Sequence, residues 1–160
     1  MRGASVDQLS RIAAVLGLDL SVRLFAAGDP VRDAAQLDLL ERLRRRLYPA
    51  LGWRTEVPLP IPGDRRAWDA IIRGPDFRIG VEAVTRLRDV QDAQRRISLK
   101  QRDSRLDHVI LLLANTRTNR AARVGAGGRA LLEGFPVHPR DALAALGDGR
   151  DPGGSTIVLL

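Results

Sequence analysis

Residues 109–114, Val-Ile-Leu-Leu-Leu-Ala, are apolar without a break. The run is far short of the ~20 apolar residues that a membrane-crossing helix needs, and it is strand-sized. A strand over Leu106–Leu113 with so little alternation has no wet face, so it belongs inside a sheet covered on both sides. Helices must do the covering, which narrows the chain to an α/β domain.

The neighbouring segments supply those helices and the rest of the sheet. Over residues 31–48, Leu37, Leu40, Leu43 and Leu47, with Ala34, form an apolar stripe opposite Asp38, Glu41, Arg42, Arg45 and Arg46, which predicts a helix ended by Tyr48-Pro49. Trp53–Leu59, Ala67–Ile72 and Phe77–Thr85 predict three strands, the last with Phe77, Ile79, Val81 and Ala83 on one face. Residues 88–103 predict a second helix. Three consecutive strands predict an antiparallel meander, and the second helix a crossover to a parallel strand at 106–113. The expected fold class is therefore α/β, a single mixed-sheet domain with a helix-strand-strand-strand-helix-strand core over residues 31–114.

The ends read differently. Residues 6–16 predict a short helix stopped by Gly17, and Leu18–Phe25 alternates like a half-buried strand before Gly28-Asp29-Pro30 breaks it. Residues 1–30 are expected to be an appendage. Residues 115–160 are expected to extend the core domain, with helices near 118–124 and 139–146, a flexible break at Gly125–Gly128 and a last strand at Ser155–Leu160.

Composition removes several chemistries. A chain of 160 residues fits one domain, and the absence of cysteine excludes disulfides, thiolate zinc sites and a cysteine nucleophile. No apolar leader with a small-residue cleavage site is evident, so the expected location is cytoplasmic, away from membranes. The net charge of +7 and an isoelectric point near 11.3 favour polyanions. DNA is the expected partner, beside a homodimer or another protein. Lys100 is the only lysine among the 26 basic residues, and such arginine richness is also what a GC-rich genome produces. Six aromatic residues are few for a base-stacking platform. His108 and His138 are isolated and read as structural. Gly125–Gly128 lacks the Lys-Ser/Thr of a phosphate loop, and no Gly-x-Ser-x-Gly elbow is present.

Two acids interrupt apolar strands: Asp69 in Ala67-Trp68-Asp69-Ala70, and Glu82 in Gly80-Val81-Glu82-Ala83-Val84. A charge there is costly unless paired, solvated or coordinating a cation. Pairing with an arginine at a sheet edge, or exposure to solvent in a shifted register, would satisfy each. Arg42, Arg44, Arg45 and Arg46 on the first long helix are placed to contact phosphates, as are Arg86, Arg88, Arg95, Arg96, Arg102 and Arg105. The alternative is a solvated face with pairs such as Asp38–Arg42 and Asp92–Arg96.

This element order, with acids on the second and third strands, resembles the core of the restriction-endonuclease-like nuclease superfamily over residues 31–113. That superfamily carries an acid on its second strand and an Asp/Glu-x-Lys motif on its third. The resemblance implies Mg or Mn held by Asp69 and Glu82, phosphodiester cleavage, and help from Glu41 on the first helix. The motif's lysine position is Val84, and some relatives move this group to the following helix. Glu82 lies roughly 10 Å below its strand's end at ~3.3 Å per residue. A helix returning at ~1.5 Å per residue regains that level near residue 94 or 95. Lys100 then falls roughly 8 Å too far along by the same rise, and Gln94, on the stripe of Val90, Ala93 and Ile97, is favoured.

Separately, Leu9-Ser10-Arg11-Ile12-Ala13-Ala14-Val15-Leu16-Gly17-Leu18 resembles the tail of XRE-type helix-turn-helix regulators, whose DNA-reading part would lie upstream. With valine in the lysine position, the function expected is a nucleic-acid-associated or regulatory module that keeps the nuclease fold without catalysis. The alternatives are a divergent Mg/Mn-dependent nuclease using Asp69, Glu82, Gln94 and Glu41, and a protein-interaction domain with no nucleic-acid role.

Overall fold

A computed structural model describes residues 5–18 and 30–160, which belong to two units, 1–30 and 31–160. In the first, Val6–Val15 form helix α1. Ser5 starts it with a capping box: its side chain accepts from the Gln8 amide, and the Gln8 side chain accepts from the Ser5 amide. No residue of α1 is buried. The strand expected to run on to Phe25 lies outside the described residues.

In the second unit, α2 (Pro30–Arg44) leads into β1 (Gly52–Pro58), β2 (Ala67–Arg73) and β3 (Arg78–Val84). Helix α3 (Val90–Ser104) follows, then β4 (His108–Leu113), α4 (Arg117–Val124), α5 (Ala126–Glu133), α6 (Pro139–Gly147) and β5 (Thr156–Leu159). The strands form one sheet in the order β1-β2-β3-β4-β5. The first three are antiparallel, β4 runs parallel to β3, and β5 parallel to β4. This is an α/β domain on a mixed sheet. Among the described residues no helix is long and apolar enough to cross a membrane.

Two apolar layers sandwich the sheet. On one face Leu39, Leu40 and Leu43 of α2 and Leu146 of α6 pack on Ile79, Val81, Ile110 and Leu112. On the other, Ala93 and Ile97 of α3 and Leu131 of α5 pack on Trp68, Val109, Leu111 and Leu113. Strand β4 feeds both layers alternately, which is why its sequence is apolar throughout.

Three expectations need correction. Helix α2 ends at Arg44, and it buries Leu39 while Leu37 is 62% exposed and Ala34 is exposed. With leucines at 37, 39, 40 and 43, periodicity alone does not choose between neighbouring faces; the sheet chooses Leu39, Leu40 and Leu43. The break expected at Gly125–Gly128 is confined to Gly125, because α5 begins at Ala126. A Cβ on Gly128 would collide with the Arg123 carbonyl, so that glycine permits a close helix-to-helix corner. Lys100 also lies elsewhere than a simple helix rise puts it, as its contacts show below.

Candidate functional site

Strands β2 and β3 stay paired from Arg73↔Arg78 to Ala70↔Val81, and there the ladder ends. Strand β2 continues beside β1 through Trp68↔Val57 and Ala67↔Pro58. It also changes face at this level. Ala70 and Ile72 pack toward α2, whereas Trp68 packs toward α3. Regular alternation would keep Trp68 with Ala70, so the pleat breaks at Asp69. On β1, Glu56 lies at the same level, between the pairs Thr55↔Ala70 and Val57↔Trp68. Its φ is +50°, a left-handed conformation uncommon for a residue other than glycine. Two adjacent strands therefore lose their pleat where β2 leaves β3. Asp69 closes the gap: its Oδ2 accepts from the Ala83 amide at 2.7 Å.

Glu82 sits on the α3 side of β3, two residues from Gly80 and from Val84, which packs with the α3 layer. Its side chain is only 9% exposed, and a buried carboxylate needs a partner. Lys100 of α3 provides it, with Nζ 2.7 Å from Glu82 Oε2 and 2.7 Å from the Ala67 carbonyl oxygen. The same ammonium lies 5.4 Å from the centre of the Trp68 ring. The indole Nε1 donates to Ser104 Oγ at 3.0 Å, and Ser104 Oγ donates to the Lys100 carbonyl. Just before β2, Arg66 bridges Asp64 and Asp103, each at 2.6 Å, fastening the strand's entry to α3. Its hydrogen bonds hold both carboxyls below the usual carboxylate range. Lys100 thus lies over the indole, with the arginine clamp one turn further along α3.

Burial first, and the Glu82 charge second, push the Asp69 carboxyl up to about 7. The Ala83 amide and Lys100 act against this rise, and Glu56 adds to it. A group poised near neutrality ionises readily when a cation arrives. Asp69 uses Oδ2 for the Ala83 amide, and Glu82 uses Oε2 for Lys100. Two neighbouring carboxylates are donors of the kind that suits Mg²⁺ or Mn²⁺, which take one or two carboxylates and fill the remaining positions with water and substrate. Among the described residues no three His, Asp or Glu side chains are grouped to hold a metal.

Of the residues singled out by sequence, Asp69 and Glu82 come together. Gln94 does not join them: its Nε2 points to the Ala130 carbonyl, 3.5 Å away on α5. Lys100 takes the place assigned to Gln94. Only a chain that turned straight back from the strand's end would bring Gln94 to that level. Thr85–Asp89 in fact run on as an irregular segment, tied by the Leu87 amide to Asn119 Oδ1 at 2.8 Å, before Asp89 caps α3. The helix starts late, and the lysine's four-carbon stem covers further distance. Glu41 lies on α2, exposed and bridged to Arg45 at 3.5 Å. Arg42 pairs with Asp38 at 3.1 Å, and Arg46, Arg86, Arg88 and Arg95 are exposed. His108 Nε2 lies 3.0 Å from Asp151 Oδ1.

Sequence reasoning missed Glu56, whose place beside Asp69 follows only from strand register. It also missed Arg54, Arg73 and Arg78, which with Trp68 and Ile71 line a cleft of about 230 Å³ on the α3 side of β1 and β2. Comparisons with protein-family models, with curated proteins and with solved structures find no match for this chain.

Proposed function

We propose that residues 31–160 form a divergent metal-dependent nuclease of the restriction-endonuclease-like kind. The observation that carries the reading is the Lys100 ammonium seated 2.7 Å from Glu82, the residue next to Ala83, whose amide Asp69 accepts from. The non-catalytic reading draws on the basic charge, the repressor-like N-terminus and Val84 standing where a lysine is expected. A lysine entering from α3 supplies that charge by another route.

Asp69 and Glu82 would hold Mg²⁺ or Mn²⁺, which when bound polarises a phosphoryl oxygen and activates water. Lys100 donates hydrogen bonds and positive charge toward the phosphoryl oxygens, where negative charge grows during cleavage. Arg54, Arg73 and Arg78 offer guanidinium forks to the neighbouring phosphates. DNA is the substrate that the net charge of +7 favours.

The test is cleavage of linear single- and double-stranded DNA with Mn²⁺, with Mg²⁺ and with EDTA. Metal-dependent cleavage lost in Glu82→Gln supports the reading. Salt-sensitive DNA binding with no cleavage in either metal returns the chain to a non-catalytic nucleic-acid module.

A further inference from the structure

Two of the six aromatic residues in the chain meet at one cleft, on the sheet face opposite Glu82. Tyr48 and Trp53 line about 600 Å³ of space together with Arg44 and Arg45 at the end of α2. Tyr48 is 48% exposed, and Trp53 is half-buried, anchored on the apolar layer beneath α2. Both arginines are exposed. Arg45 leans on Glu41 at 3.5 Å, and Arg44 has no ion pair among the described residues.

We propose that this cleft is a nucleotide subsite, taking a base of an unpaired nucleic-acid strand against Tyr48 and Trp53 and its phosphate on Arg44 and Arg45. Aromatic faces stack on any base, so such a site accepts single strands without reading sequence. Guanidinium forks match phosphate oxygens in pairs. The volume lies within the range of sites that enclose a small ligand. A duplex keeps its bases stacked on one another and cannot offer one to the cleft. Trp53 precedes Glu56 on edge strand β1 by about 10 Å, at ~3.3 Å per residue. A strand crossing that edge would reach from the cleft toward the carboxylates. Only this last connection rests on the nuclease reading; the chemistry of the cleft does not.

The experiment titrates the full chain into a fluorescein-labelled oligothymidylate of about eight nucleotides, in EDTA, by anisotropy. Tyr48→Ala is expected to weaken binding roughly five- to 150-fold, the range for one stacked base, while Tyr48→Phe stays within about twofold of the native chain. Arg44→Ala with Arg45→Ala is expected to lower the salt slope by about 0.7 for each phosphate that is no longer neutralised. Glu41→Gln is expected to bind more tightly. Thermal melts of both Tyr48 variants check that the fold is kept. Equal binding by Tyr48→Ala and Tyr48→Phe, or equal competition by a duplex, overturns the subsite. Binding that depends on Tyr48 without any metal-dependent cleavage leaves the subsite standing and removes the nuclease reading. Cleavage with binding indifferent to Tyr48 removes the subsite alone.

Discussion

The Ala83 amide donates to Asp69 Oδ2 at 2.7 Å at the level where the β2–β3 ladder has stopped. A side-chain carboxylate stands in for a backbone acceptor and ties the two strands together beside Glu82. Asp69 therefore has a structural part and a chemical part, which two substitutions separate. Asp69→Asn keeps an oxygen for the amide but loses the charge. At pH 4, where Asp69 keeps its proton in the fold, its stability is expected within about 1 kcal/mol of the native chain, and Mn²⁺ binding near neutral pH is expected to be lost in calorimetric titration. Asp69→Ala strands the amide and is expected to cost about 1–3 kcal/mol in urea unfolding. Equal stabilities for the two variants would show that the bond does not hold the strands.

The poise of Asp69 near neutrality gives folding and metal binding opposite pH dependence. Its ordinary value is 3.8 and its value in the fold about 7. Between these limits the unfolded chain gives up the proton and the folded chain keeps it, so stability falls as pH rises. The contribution is full below 3.8 and gone above about 7. In urea unfolding from pH 4 to 7.5, the native chain should lose ground to Asp69→Asn. A cation needs the ionised form, so Mn²⁺ affinity should climb about tenfold per pH unit toward 7 and then level off. Affinity flat from pH 5.5 to 8 would place the metal elsewhere.

Lys100 and Val84 offer two routes to one position. Glu82 and Val84 share the α3 side of β3, so a lysine at either 84 or 100 can reach the acids. Lys100→Met leaves Glu82 buried without its partner and is expected to cost about 3–5 kcal/mol. Any cleavage should drop by about two to three orders of magnitude. Adding Val84→Lys to Lys100→Met should recover part of both losses. Recovery of stability without cleavage would make the lysine a structural counter-ion only.

Much of this was legible in the sequence, for definite reasons. The order of the core elements followed from Leu106–Leu113 and from the alternation in Ala67–Ile72 and Phe77–Thr85, because burial imposes a period of two on strands. Asp69 and Glu82 stood out because each breaks an apolar run. Lys100 was set aside because a helix's starting level depends on the Thr85–Asp89 segment, whose path is fixed by the distant Asn119. Glu56 carried no signal, since its place beside Asp69 depends on register across two strands and on a positive φ. The face of α2 was ambiguous because four leucines crowd residues 37–43. Local pattern names the elements; long-range packing aims the side chains.

Gly80 touches neither acid, yet the seat of Lys100 depends on it. A Cβ on Gly80 would lie 2.8 Å from both Leu106 and the Trp68 ring, so the indole occupies the room that glycine leaves. Trp68 is wholly buried, bonded through Nε1 to Ser104 and lying beneath the Lys100 ammonium. A rigid ring moves as one body, so Gly80→Ala should displace the support of Lys100 together with the indole. Overpacking of this kind is expected to cost about 1–3 kcal/mol. Gly52→Ala, whose nearest contact would be 3.3 Å from the Arg73 Cβ, is the milder comparison. Gly80→Ala should alter the near-ultraviolet circular dichroism and lower the cleavage rate. Mn²⁺ affinity should hold within a few fold, because Asp69 is held by Ala83 instead of the indole. Loss of Mn²⁺ binding in step with the rate would mean that the acids, and not only Lys100, depend on where the indole sits.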